Sequence, residues 1–127
     1  MANILLIDDD DLLSEGLAEG LRGAGHSVTL APNGPAGLAA AARILPDIVI
    51  TDVLMPGMDG IEVLRTLRAR GFEVPVIAMS GGGRLGAGMV LDMVTALGAA
   101  GVLVKPFSRQ ELLALVTRCL TDRVTNA

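Results

Sequence analysis

Five short apolar runs, separated by stretches with helical periodicity, constrain the fold of this chain more than any other feature. The runs are rich in Ile, Leu and Val and lie at residues 4–7, 27–30, 48–50, 74–79 and 102–104. Because the runs are largely continuous and do not alternate strictly between apolar and polar residues, we interpret all five as strands buried on both faces of a sheet. Between the runs, apolar residues recur at helical spacing, as in Leu13, Leu17 and Leu21, which predicts amphipathic helices.

The helix boundaries are marked by residues that commonly start or stop helices. Gly71 and Gly98 follow the third and fourth predicted helices, and Ser108 and Glu111 form a capping box at the start of the fifth. Five strand–helix units of this length require parallel strands joined by right-handed crossovers. The sequence therefore predicts an α/β fold, an open five-stranded parallel sheet with helices on both faces. At 127 residues, we expect a single domain over residues 1–127.

The composition excludes several classes of function. Hydrophobic residues make up 51% of the chain and charged residues 19%, which predicts a folded core. A net charge of −4, with no Trp, no Tyr and two Phe, argues against direct nucleic-acid binding. The single cysteine, Cys119, rules out an intramolecular disulfide, and the sequence shows neither a signal peptide nor an apolar span of membrane length. We expect a cytoplasmic protein that does not insert into membranes.

Polar side chains follow the predicted strands on the side where ligands bind in parallel sheets. They are the acidic run Asp8, Asp9, Asp10 and Asp11 after the first strand, Asp52 after the third, Ser80 after the fourth and Lys105 after the fifth. Helix capping and the helix dipole explain Asp10 and Asp11, but not Asp8 and Asp9. Carboxylates gathered at one edge repel unless a cation lies among them, and an oxygen-only cluster suits Mg²⁺. Lys105 is the only lysine among ten basic residues, and it directly precedes Pro106.

Taken together, these motifs resemble the receiver domain of two-component response regulators. The resemblance rests on the acid pair Asp8-Asp9, the segment 52–60 (Asp-Val-Leu-Met-Pro-Gly-Met-Asp-Gly), Ser80 and the triplet Lys105-Pro106-Phe107, and it covers essentially the whole chain. It implies a flavodoxin-like (βα)5 fold with strand order 2-1-3-4-5. It also implies a protein that is not a conventional enzyme but supports its own phosphorylation and dephosphorylation.

The resemblance assigns a role to each residue of the edge. Asp52 is similar to the phospho-accepting aspartate, Ser80 to the hydroxyl residue that turns toward the phosphoryl group, and Lys105 to the lysine that contacts its oxygens. Asp8 and Asp9, with Asp52 and the backbone carbonyl of Leu54, would hold Mg²⁺, for which Mn²⁺ could substitute. The implied partners are a sensor histidine kinase or phosphotransfer protein and a downstream target that binds helix 4, strand 5 and helix 5. A homodimer is a further option.

The sequence departs from the family pattern in two places. Receiver domains usually carry Tyr or Phe three residues before the lysine, where this chain has Val102. The segment 81–88 is glycine-rich and a few residues longer than in chemotaxis-type members. We therefore predict that the switch runs through Ser80 and this segment instead of an aromatic side chain.

Two alternatives to a phosphorylated receiver remain open from the sequence. Gly81, Gly83 and Gly86 match a dinucleotide-binding fingerprint, which would make the chain a Rossmann-like module. The context is poor, because the next strand ends in Lys105 and not in an acid for a ribose. The second alternative is a binding module that kept the fold and lost phosphorylation.

Overall fold

The computed structural model describes residues 1–81 and 87–125. Five strands and five helices alternate along these residues: β1 (Asn3–Ile7), α1 (Asp11–Gly23), β2 (Ser27–Ala31), α2 (Gly34–Ile44), β3 (Ile48–Asp52), α3 (Gly60–Ala69), β4 (Val76–Gly81), α4 (Ala87–Ala96), β5 (Gly101–Lys105) and α5 (Arg109–Thr125). None of the helices in these two ranges is long and apolar enough to cross a membrane.

The strands form one parallel sheet in the order β2-β1-β3-β4-β5, which confirms the predicted fold class. The register aligns the carboxyl ends of the strands. Ile7 pairs with Thr51, Asp52 with Met79, and Gly81 with Lys105. The side chains at the ends of β1, β3, β4 and β5 therefore lie along one edge of the sheet.

Two hydrophobic clusters cover the two faces of the sheet. Side chains alternate along a strand, so Leu5 and Ile7 of β1 join one cluster while Ile4 and Leu6 join the other. The first cluster contains residues of α2, α3 and α4, and the second contains residues of α1 and α5. Cys119 is buried in the second cluster, as its apolar surroundings in the sequence predict.

The prediction that all five strands are buried on both faces was wrong for the two edge strands. Every residue of β3 is buried, whereas β2 buries only Ala31 and β5 only Leu103. Each edge strand has one neighbour, so its outer side lacks the covering strand and the helices that shield the centre. Three strands also end later than the sequence predicted, because ladder pairing extends β3 to Asp52, β4 to Gly81 and β5 to Lys105.

The predicted helix ends are confirmed by hydrogen bonds. Asp10 caps α1 by accepting from the Leu13 amide at 3.1 Å, and Ser108 caps α5 by accepting from the Glu111 amide at 3.0 Å. Gly71 and Gly98 have φ of +85° and +90°, which a side chain would disfavour.

One arginine joins the ends of two helices. The guanidinium of Arg68 in α3 donates to the carbonyls of Phe72 at 2.9 Å, Val74 at 2.8 Å and Gly98 at 3.1 Å. Burial lowers the pKa of Arg68 from its ordinary value. These bonds fix the turn after α4 against α3, so the C-terminal end of α4 is anchored to the rest of the fold.

Candidate functional site

Three carboxylates meet at the carboxyl edge of the two central strands. Asp8 and Asp9 directly follow β1, and Asp52 is the last residue of β3. One carboxylate oxygen of each lies within 4.8 Å of the other two. The structure thus brings together the three acids that the sequence singled out as metal ligands.

Asp8 is the most buried of the three acids. It is 1% exposed, and its Oδ1 accepts a hydrogen bond from the Asp10 amide at 3.0 Å. Its Oδ2 is buried and has no hydrogen-bond partner among the described residues. Burial raises the pKa of Asp8 from 3.8 to about 6; the Asp10 amide opposes this shift, and the charge of Asp52 adds to it.

The cluster fits a hard divalent cation. An unpartnered carboxylate oxygen in a buried position is destabilising unless a positive group comes to it. Here that oxygen belongs to a set of three carboxylates, which is the donor chemistry that Mg²⁺ and Mn²⁺ accept in proteins. Asp9 is exposed, so the cluster is open to solvent on its side.

Lys105 approaches the cluster from the edge strand. Its Nζ lies 3.4 Å from Oδ2 of Asp52, and its side chain is 27% exposed. The Lys105–Pro106 peptide bond is cis. Lysine presents a compact charge on a flexible stem, so Lys105 can stay in contact with Asp52 or with a group bound to it.

Ser80 lies in β4, between the Asp52 and Lys105 strands. The sequence placed it after the strand, but it is within β4, because it pairs with Val104 of β5. Ser80 is 3% exposed, and its Oγ donates to the Gly81 carbonyl at 3.4 Å. Within the described residues, neither Ser80 nor Leu54 makes a hydrogen bond to the carboxylates. Leu54 is 64% exposed, and its role stays a prediction.

Gly60 positions the phosphoacceptor candidate in a way that sequence reasoning missed. A Cβ at Gly60 would overlap the carbonyl oxygen of Asp52, and the Gly60 amide donates to the Val53 carbonyl at 2.9 Å. The start of α3 therefore packs directly against the end of β3. In the sequence, Gly60 is the last residue of the motif at 52–60, but only the tertiary contact shows why a side chain is excluded there.

Val102 packs against the core from β5, where family members usually have an aromatic residue. It is half-buried, against the cluster that α2, α3 and α4 cover. The switch predicted from the sequence runs instead through Ser80 and the glycine-rich segment 81–88. Residues 82–86 of that segment lie outside the described residues. The nucleotide-binding fingerprint at Gly81, Gly83 and Gly86 falls on the same segment.

Comparison with known proteins identifies relatives over most of the chain. The family described as response regulator receiver domain matches residues 4–117. Response regulator MprA of Mycobacterium leprae is 39% identical over 119 residues, which is 92% of this chain and 50% of that protein. Sensory transduction protein RegX3 of Mycobacterium tuberculosis is 37% identical over 122 residues, 94% of this chain and 51% of that protein. The chain thus spans about half the length of the curated relatives it matches.

Solved structures show the same fold. Chemotaxis protein CheY4 of Vibrio cholerae superposes with a TM-score of 0.86 at 30% identity, over 94% of this chain and 98% of that one. A CheY-like receiver domain protein of Methanospirillum hungatei gives a TM-score of 0.91 at 22% identity, over 100% and 99% of the two chains, and supports the fold alone.

The strand order, the acid cluster with its neighbouring lysine and the family match over residues 4–117 agree with one another. The chain belongs to the response regulator receiver domain family.

Proposed function

We propose that this chain accepts a phosphoryl group on Asp52 from a phosphohistidine donor and thereby changes a surface that binds a partner. The observation that carries the proposal is that Asp52 shares a cluster with the carboxylates of Asp8 and Asp9, within 4.8 Å of one another, and lies 3.4 Å from the Lys105 ammonium. A carboxylate held between a cation site and a lysine has the surroundings that phosphoryl transfer requires, since this reaction needs positioning and charge stabilisation more than other chemistry.

In the proposed reaction, a carboxylate oxygen of Asp52 attacks the phosphorus of the donor. A new O–P bond forms while the N–P bond of the phosphohistidine breaks, and the imidazole of the donor leaves with the bonding electron pair and takes up a proton. Asp52 is 7% exposed at the end of β3, so it is held in place by packing yet accessible to a donor. Lys105 would hold an oxygen of the incoming group, because its ammonium already faces the Asp52 carboxylate.

Asp8, Asp9, Asp52 and the Leu54 carbonyl are the proposed ligands of Mg²⁺, with Mn²⁺ as a substitute. When bound, the ion would neutralise negative charge on the carboxylates and on the phosphoryl oxygens. The unpartnered Oδ2 of Asp8 supports this assignment.

Ser80 is the proposed link from the site to the surface. Its hydroxyl makes only a long bond, 3.4 Å, to the Gly81 carbonyl, and a phosphoryl oxygen would offer a stronger, charged acceptor. A rotation of the Ser80 side chain toward Asp52 would displace the end of β4 and its neighbour β5. The face formed by α4, β5 and α5 carries the exposed apolar side chains Met93 (45%) and Val104 (43%), which a downstream partner or a second copy could cover.

The chain is therefore proposed as a phosphoacceptor whose product stays on the protein, and not as a conventional enzyme. Its donor would be a histidine kinase or phosphotransfer protein. Relatives of about twice this length include a Bacillus subtilis protein named as a transcriptional regulatory protein, so control of an output domain is one proposed use of the switch.

Incubation with acetyl phosphate and Mg²⁺, followed by intact mass measurement, tests the proposal. We expect one phosphoryl group per chain, lost in Asp52→Asn and lost in EDTA. Asp122→Asn removes an exposed acid of α5 outside the cluster and should label like the unchanged chain. Labelling that persists in Asp52→Asn would overturn the assignment. No labelling of a folded protein that binds Mg²⁺ would favour a phosphorylation-independent binding module.

A further inference from the structure

The loop of residues 53–59 leads from β3 into α3 and carries Leu54, whose carbonyl is a proposed metal ligand. Backbone hydrogen bonds fix both ends of this loop. The Val53 amide donates to the Met79 carbonyl at 2.9 Å, and the Gly60 amide donates to the Val53 carbonyl at 2.9 Å. Leu54 itself is 64% exposed, so its own side chain does little to hold the middle of the loop.

Met58 holds the middle of the loop against α2. Its side chain is partly buried and packs against the hydrophobic cluster that α2, α3 and α4 cover. It also lies on the backbone of Gly34, the buried first residue of α2. A Cβ placed on Gly34 would come within 2.7 Å of Cγ and Sδ of Met58 and within 2.9 Å of its Cβ, closer than real Cβ contacts come. Position 34 therefore excludes a side chain as long as Met58 keeps its place.

The overlap at position 34 involves the start of the Met58 side chain as well as its flexible end. Cγ and Sδ could rotate away from a methyl group, since methionine has three rotatable side-chain bonds. The Cβ of Met58 cannot, because it is bonded to the backbone and moves only with it. A side chain at position 34 would therefore displace the backbone of the loop, and not only the end of the Met58 side chain.

The start of α2 is a firm support for this contact. The Asn33 side chain accepts a hydrogen bond from the Ala36 amide at 2.8 Å, which caps the helix. Two residues before Asn33, the Ala31 carbonyl accepts from the Asp8 amide at 3.1 Å. The connection from β2 to α2 thus holds two separate parts of the proposed metal site, Asp8 through Ala31 and the loop through Gly34.

We propose that the contact between Met58 and Gly34 positions the Leu54 carbonyl for the metal ion, which makes both of them positioning residues of the cation site. This inference rests on the proposed function, in which that carbonyl is a ligand. Mg²⁺ requires near-octahedral geometry with short distances to its oxygen ligands, so a displaced loop lowers its affinity. Neither Met58 nor Gly34 belongs to the carboxylate cluster, so their substitution acts on the ion through the loop.

Mn²⁺ titration, with the free ion measured by electron paramagnetic resonance, tests the proposal in a double-mutant cycle. Gly34→Ala and Met58→Ala should each weaken Mn²⁺ binding about 10-fold, the lower end of the range for residues that orient metal ligands. The double variant should bind about as weakly as the weaker single variant, because the two substitutions disrupt one contact. Losses that multiply in the double variant would indicate independent effects and overturn the proposal.

Two controls match these substitutions. Gly16→Ala adds the same methyl group to an exposed glycine of α1, where a Cβ meets no heavy atom of the described residues within 4 Å. Met93→Ala removes a methionine that is 45% exposed on α4. Both should bind Mn²⁺ like the unchanged chain, and an equal loss of affinity in either control would overturn the proposal. Unchanged affinity in Met58→Ala would overturn it even if Gly34→Ala does not fold.

Hydrogen exchange in EDTA provides a readout that needs no metal. The amides of residues 53–59 should exchange faster in Gly34→Ala and Met58→Ala than in the unchanged chain, while the amides of β1 and β3 exchange as before. Equal exchange of the loop in all three proteins would overturn the proposal. A chain that binds no Mn²⁺, but whose loop responds to both substitutions, would support the positioning contact while arguing against the cation site of the proposed function.

Discussion

The two halves of the candidate site differ in how firmly the fold holds them. The acid half consists of Asp8, Asp9 and Asp52 at the ends of the central strands β1 and β3, and the response half consists of Ser80 and Lys105 on β4 and β5. β1 and β3 are buried almost throughout, and so is β4, which carries Ser80. The difference lies at the edge strand β5, which carries Lys105: it buries only Leu103, and its Val104 is 43% exposed.

This difference indicates which residues of the site can change position when a ligand binds. A shift of the acid half would disturb both hydrophobic clusters, because β1 and β3 contribute side chains to each. A shift of β5 would uncover little apolar surface, whereas β4 contributes buried side chains to both clusters, so movement at Ser80 should involve its side chain and the residues after the strand. We therefore expect the acid half to be formed before any ligand binds, and conformational change to appear at the Ser80 side chain and in the segment that follows it, residues 81–88.

The largest expected effect concerns Asp8, whose Oδ2 is buried with no hydrogen-bond partner among the described residues. Its folded pKa, about 6, lies above the ordinary 3.8, so between these values the folded chain holds a proton that the unfolded chain has released. The free energy of unfolding should therefore fall as pH rises through this window in EDTA, by up to about 3 kcal/mol for this group. Asp8→Asn should remove that fall, and the metal-free variant should be the more stable protein at neutral pH.

Urea denaturation in EDTA at several pH values measures this effect. Asp122→Asn serves as the control, because Asp122 is an exposed acid on α5. If the stability difference between the unchanged chain and Asp8→Asn does not vary from acid to neutral pH, Asp8 is not destabilised by burial, and the acid half differs less from the response half than we infer.

A pair of glycines compares the two halves directly. Gly60→Ala would push a Cβ into the Asp52 carbonyl, so we expect about 1–3 kcal/mol of destabilisation and weaker Mn²⁺ binding at the cluster. Gly81→Ala, at the end of β4, meets no heavy atom of the described residues within 4 Å and should change stability by less than about 0.5 kcal/mol. Thermal denaturation and Mn²⁺ titration of both variants provide the comparison. Equal effects at Gly60 and Gly81 would contradict a rigid acid half.

Lys105→Ala should have only a small effect on stability. The ion pair with Asp52 spans 3.4 Å and is partly exposed, and such pairs contribute less than about 1 kcal/mol. Mg²⁺ affinity should stay the same or rise slightly, because the carboxylates lose a competing cation, while the conformational response weakens. Lys105→Met keeps the apolar stem and controls for packing. Much weaker Mg²⁺ binding with a normal response would assign Lys105 another role.

The sequence predicted the fold well because the signals for it are local. Apolar runs, helical spacing and the capping residues Asp10 and Ser108 are each set by a few neighbouring residues, and the structure confirms them. The convergence of Asp8, Asp9 and Asp52 was also predictable, since parallel strands end at the same edge.

The features that the sequence did not predict depend on contacts between distant segments. The exposure of β2 and β5 depends on which strands have only one neighbour. The exclusion of a side chain at Gly60 depends on a backbone atom eight residues earlier in the chain. The buried hydroxyl of Ser14 and the three carbonyls held by Arg68 carry no local signature, because an ordinary serine and an ordinary arginine in a helix look the same in the sequence.

Hydrogen exchange with and without beryllofluoride and Mg²⁺ tests the division of the site most directly. We expect slower exchange in residues 81–88 and at the start of α4, with little change at Val102 or in the amides of β1 and β3. Ser80→Ala should remove most of this protection while Mg²⁺ still binds, and Val102→Tyr should leave it in place. Protection confined to β1 and β3, or confined to β5 with residues 81–88 unchanged, would contradict the account.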